Sequence, residues 1–133
     1  MFKNRKNNKK GFTLVEVIVV LVILAILAAI MIPALTGWIE KANKKTALVE
    51  ARSALLALQT EASENYNNID KSVTTLPEKY VTDAEELAEL EAKSITKDSV
   101  TISNTKKITA FTYTSSTGYT VTYANKAFTV ADK

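Results

Sequence analysis

The chain has 133 residues, one domain's worth, and its 17 Lys and Arg against 14 Asp and Glu give a formal charge of +3. It contains no Cys and no His, which excludes thiolate zinc sites, disulfide frameworks, cysteine nucleophiles, Ser-His-Asp triads and imidazole metal ligands. Its 3 Gly form neither G-x-G-x-x-G nor G-x-x-x-x-G-K-[ST], so phosphate-cradling loops are excluded and the chain reads as a non-enzyme with no cofactor and no metal.

The charge is unevenly placed. Residues 1–11 carry +5, residues 12–38 carry −1 from Glu16 alone, residues 39–96 carry −4 and residues 97–133 carry +3. The first element follows the basic stretch. From Val17 to Ile32 every residue is apolar, and no charge occurs between Val17 and Ile39. A helix crossing a bilayer needs about 20 apolar residues, and the run meets this once residues 12–14 are counted. A helix apolar all round must be covered on every side, and the rest of this chain is too small to wrap it. A cleaved secretory signal is the competing reading. Its basic n-region is present in Lys3, Arg5, Lys6, Lys9 and Lys10. The run, however, exceeds the usual stretch of about 7–15 residues, and no A-x-A ends it. A retained membrane helix is the better reading. The cations before the run outweigh Lys41, Lys44, Lys45 and Arg52 after it, which places the N-terminus on the cytoplasmic side.

Two residues are unusual for a plain anchor. A carboxylate at the centre of a bilayer helix costs about 2.5–3.5 kcal/mol. Glu16 sits near the helix start, where the cost is lower and the dipole favours an anion. It reads either as a tolerated interfacial acid or as a charge awaiting a partner's cation. Pro33 removes one backbone N–H and crowds the carbonyl of Ala29. With Gly37 it marks residues 29–37 as weak helix, where a kink or break is expected.

Beyond the apolar run, Leu48, Ala51, Leu55, Leu58, Ala62 and Tyr66 recur every three or four residues and share one helix face. The helix is expected from about residue 12 to residue 66, ending at Asn65-Tyr66-Asn67-Asn68. Residues 67–81 read as loop, with Leu76-Pro77 barring helix there. Thr82 and Glu85 read as a capping box opening a short helix over 83–93. Glu85, Glu86, Glu89 and Glu91 read as its solvated acidic face, and Ala84, Leu87, Ala88 and Leu90 as its packing side. From residue 99 to residue 130 the period is two, with turns at residues 104–107, 115–118 and 125–126. This is an antiparallel meander of three or four strands, expected to lie on the Leu48–Tyr66 stripe because so small a sheet needs a helix to cover it. The fold class is therefore α+β. Lys97, Lys106, Lys107, Lys126 and Lys133 among the Thr and Tyr residues read as edge-blunting lysines, not as a nucleic-acid surface.

Lys9-Lys10-Gly11-Phe12-Thr13-Leu14-Val15-Glu16, followed by the apolar run, resembles the class III signal of type IV pilins and pseudopilins. The resemblance covers residues 1–39. It implies a membrane prepilin cut after Gly11 by a prepilin peptidase, with Phe12 as the new, N-methylated terminus. It implies that Glu16 meets the terminal amine of a neighbouring subunit, and that Pro33 is a helix-breaking proline. The domains it implies are a cleaved leader (1–11), a transmembrane and filament-core segment (12–39) and a pilin head (40–133). The implied partners are further copies of the chain, the peptidase, an assembly platform with its ATPase, and the bilayer before assembly. The implied location is the cytoplasmic membrane, then an extracellular or envelope-spanning filament. A pseudopilin of a DNA-uptake or type II-like secretion system is the related alternative, and a single-pass membrane protein with a chance motif is the second. The paired Cys that staple the C-terminal loop of many pilins are absent.

Overall fold

The structure, a computed structural model, describes residues 11–132. Residues 1–10, which hold most of the expected leader and its cations, lie outside the described residues, as does Lys133. The described chain falls into two units, divided between Ile39 and Glu40.

Helix α1 spans Leu14–Glu64, within two residues at each end of the 12–66 expectation. Its apolar part is long and apolar enough to cross a membrane, and none of its most apolar window is buried. The expected break at Pro33 and Gly37 is corrected: both lie inside uninterrupted helix. A proline deletes one N–H, here the donor to Ala29, and leaves the rest of the ladder available. The Thr36 hydroxyl makes a 2.9 Å bond to the Ile32 carbonyl in the following turn. Strong apolar helix formers on both sides outweigh one weak turn.

In the second unit α1 buries Ala47, Ala51, Ala54, Ala57, Leu58 and Ala62. The expected stripe is thus partly corrected. Its centre is alanine, with Leu48 and Leu55 half-buried at the margin and Tyr66 beyond the helix and exposed. Most large side chains of the core come from the other elements. Leu76, Val81, Ile95, Phe111 and Val121 fill that space.

Helix α2 spans Glu78–Leu87, so the 83–93 expectation is corrected at both ends. Pro77 stands at its N-cap with φ −57°, a fixed angle suited to a helix start. Thr82 is therefore inside the helix, and its hydroxyl bonds the Glu78 carbonyl one turn back at 3.1 Å. Glu85 is not on a solvated face. It is 3% exposed, and its carboxylate accepts the Lys93 N–H at 3.0 Å and the Ile95 N–H at 2.8 Å. Glu86, Glu89 and Glu91 are exposed, as expected. Leu87 is exposed too, while Val81, missed by the sequence reading, is fully buried.

The sheet is a four-stranded antiparallel meander: β1 Thr101–Ile102, β2 Ile108–Thr114, β3 Thr120–Ala124 and β4 Ala127–Ala131, in the order β1-β2-β3-β4. Phe111, Tyr113, Val121 and Tyr123 face the core with period two, and Phe128 and Val130 pack at its margin. Phe111, Tyr123 and Phe128 form a three-ring cluster with centroids 4.9–6.4 Å apart. A register shift at Thr101/Ile102 lets Ile108 turn inward out of phase with Phe111. Residues 94–96 pair with β2 on the same edge as β1, beyond the end of that short strand. The Thr96 N–H donates to the Thr112 carbonyl at 2.9 Å and the Thr114 N–H to the Ser94 carbonyl at 2.8 Å.

The β3–β4 turn is the two-residue loop Asn125-Lys126, both with positive φ (51° and 63°), as a type I′ hairpin requires. Lys106 is a further correction. It is 1% exposed, with φ 61°, and is not an edge lysine. Its Nζ donates to the Asp70 carbonyl. Its own carbonyl accepts Gln59 Nε2 at 3.2 Å, while Gln59 Oε1 accepts the Ile108 N–H at 3.0 Å. Ser72 holds the Asp70 carboxyl below the ordinary carboxylate range, through its backbone N–H and then its hydroxyl.

Tyr113 joins the sheet to α1, its hydroxyl donating to Glu50 Oε2 at 2.6 Å. Burial first, and then that hydrogen bond, push its phenol above the ordinary value of 10.0. Above that value the unfolded chain loses the proton while the folded chain keeps it, so stability falls as pH rises. The contribution is complete below about pH 10 and is lost as pH climbs through the folded value. Tyr113→Phe is expected to flatten this alkaline limb. Urea midpoints of the detergent-held chain, taken near pH 8 and near pH 11, check it. An equal fall in both proteins would remove Tyr113 as the source.

Candidate processing and assembly segment

Gly11 and Phe12 precede α1, and Phe12 is 87% exposed. Thr13 is the N-cap residue. The Thr13 N–H donates to Glu16 Oε2 at 3.1 Å, and the Glu16 N–H donates to Thr13 Oγ1 at 3.2 Å. The first turn closes with the Val17 N–H on the Thr13 carbonyl at 3.2 Å. This is a reciprocal capping box, in which two N–H donors at the chain's entry to the helix gain partners. The carboxylate also lies in the first turn, where the helix dipole favours it.

Thr13 is the functional residue that the sequence reading missed. The signal was there: Thr13-x-x-Glu16 has the S/T-x-x-E spacing. The same spacing at Thr82-x-x-Glu85 was read as the box, and that assignment does not hold.

The expected site residues fall in two places. Gly11, Phe12 and Glu16 cluster at the start of α1. Pro33 and Gly37 lie in its interior, Pro33 about 25 Å further along at 1.5 Å per residue. The structure does not bring the two groups together. A Cβ built on Gly11 or on Gly37 meets nothing within 4 Å, so the packing of this chain demands glycine at neither position. Every residue from Gly11 to Ala42 is exposed. An apolar surface of that length is what a bilayer or a bundle of like helices covers. Among the described residues no group of three or more acidic side chains is placed to hold a metal ion.

A long apolar N-terminal helix with a small antiparallel four-stranded sheet is the α+β architecture of a pilin-like subunit. Residues 6–32 match the family described as the prokaryotic N-terminal methylation motif, the class III signal of type IV pilins. The chain therefore carries the signal of a type IV pilin or pseudopilin-like precursor. The match spans the last basic residues before Gly11, the capping box and most of the apolar run, and stops before Pro33. The motif goes generally with prepilin peptidase processing and filament assembly. No curated protein and no solved structure matches the chain.

Proposed function

We propose that the protein is the structural subunit of a type IV pilus-like filament. The precursor sits in the cytoplasmic membrane with its N-terminus inside. A prepilin peptidase cuts between Gly11 and Phe12, and Phe12 is N-methylated. Removing residues 1–11 takes away five cations, and with them the charge bias that holds the leader on the cytoplasmic side. An assembly platform and its ATPase then draw the chain from the bilayer into a helical homopolymer. There the apolar segments pack on one another, and Glu16 neutralises a neighbour's terminal amine. The heads form the outer surface. The role is one of assembly, without catalysis.

The observation that carries this reading is the methylation motif set on a helix whose apolar length is wholly uncovered within the chain.

Intact-mass and N-terminal analysis of protein sheared from the native cell surface tests the reading. The expected species begins at N-methylated Phe12. The same species confined to membranes would favour the pseudopilin. An intact Met1 terminus, in cells with an active prepilin peptidase, would overturn both.

A further inference from the structure

In the head, α1 presents an apolar ridge to solvent. Val49 and Leu56 lie on it, Leu56 with 71% of its surface exposed. A groove runs along each flank of Leu56. One is bounded by Leu87 and Glu89 at the end of α2, and the other by Lys107 of the β1–β2 turn with Arg52 at its rim. The flanks carry opposite charge. On the α2 side Glu89 lines the groove beside Leu87, itself 55% exposed, and Glu86 and Glu91 are exposed on the same segment of chain. On the sheet side Arg52 and Lys107 are exposed. The ion pairs among the described residues are Lys44–Asp132 and Lys97–Glu78, so none of these five charges is ion-paired within its own chain.

We propose that this surface joins copies of the chain, the Arg52–Lys107 flank of one head receiving the Glu86–Glu89 flank of the next. The setting rests on the filament reading above. Copies in a filament share one direction, so neighbours set side by side present unlike flanks. Here those flanks are unlike in charge and alike in carrying an exposed leucine. A contact of this kind is heterologous and propagates without closing. The charges set register and exclude wrong alignments, while burial of Leu56 and Leu87 supplies most of the attraction. A nucleic acid fits the basic groove less well. Its aromatic residue, Tyr123, is buried against Phe111 and Phe128 and offers no face to a base.

The absence of Cys makes the contact directly testable. Full-length Lys107→Cys and Glu89→Cys chains are co-expressed, sheared filaments are mildly oxidised, and reducible dimers are sought. A dimer that needs both variants is expected. A dimer from either variant alone, or none from filaments seen by microscopy, would overturn the proposal. In addition, Arg52→Glu with Lys107→Glu is expected to lower sheared filament on the order of tenfold, and adding Glu86→Lys with Glu89→Lys to restore most of it. Wild-type yield from the first pair, or no recovery in the combined chain, would count against the contact. If wild-type cells shed no filament, the filament reading fails on its own. The cysteine pair is then oxidised in membranes, where the same requirement for both variants decides the contact.

Discussion

Glu85→Ala is expected to destabilise the head by about 2–4 kcal/mol, because one buried and one part-buried N–H donor lose their carboxylate acceptor. The bonds in question run to Lys93 and Ile95. Lys93 has φ 65° and Glu89 has φ 55°, so the chain reverses tightly after α2, at some cost in backbone strain. Glu85 stabilises the end of that reversal. It thereby sets residues 94–96 against β2, where Ile95 bridges Tyr113 and Thr96 bonds Thr112. Loss of the carboxylate frees the reversal and uncovers an edge of β2 together. Glu85→Gln retains one acceptor oxygen and is expected to fall between wild type and the alanine variant. Urea midpoints of the full chain in detergent check the order. A loss below about 1 kcal/mol in Glu85→Ala would mean that water satisfies both donors and that Glu85 is dispensable.

Local signals carried much of the fold, and distant contacts account for the misses. The meander was legible because period-two alternation and turn residues act within a few positions, as in the Asn125-Lys126 hairpin. The long helix was legible from its apolar run and heptad-like spacing. Glu85 was misread because its partners lie 8 and 10 residues away, across a reversal that depends on two non-glycine residues at positive φ. Lys106 was misread for the same reason, its Nζ partner being 36 residues distant. The alanine centre of α1 was underweighted because large side chains signal burial more strongly in a sequence than small ones. Here the small ones sit beneath large side chains supplied by the loops, α2 and the sheet. At the candidate site, Gly11, Phe12 and Glu16 were legible as a motif, while the capping role of Thr13 within it was not. The T-x-x-E spacing occurs three times, at Thr13, Thr75 and Thr82, and only the position of the helix start tells which copy caps. Pro77 moves the start of α2 ahead of Thr82, whereas Thr13 stands immediately before Leu14.

Glu16→Gln is expected to reduce sheared filament on the order of tenfold or more, although the helix start survives. The capping box and the proposed charge pair both use the Glu16 carboxylate, and they make different demands on it. A capping box accepts glutamine in place of glutamate, so the bond from the Thr13 N–H is kept. A terminal amine buried among apolar helices needs a negative charge, and an uncompensated charge in such a place costs about 3–5 kcal/mol. At about 1.4 kcal/mol per tenfold, even part of that cost abolishes most assembly. Thr13→Ala makes the opposite change. It removes the hydroxyl that accepts the Glu16 N–H, costs about 0.5–2 kcal/mol of local helix stability, and leaves the carboxylate in place. Sheared filament, normalised to the processed chain retained in membranes, separates the two roles. Loss in Glu16→Gln with near wild-type yield in Thr13→Ala assigns assembly to the charge. The reverse pattern would reduce Glu16 to a helix cap. The normalisation matters because the proposed cleavage site at Gly11 lies within five residues of both. A processing defect would otherwise pass for a failure to assemble.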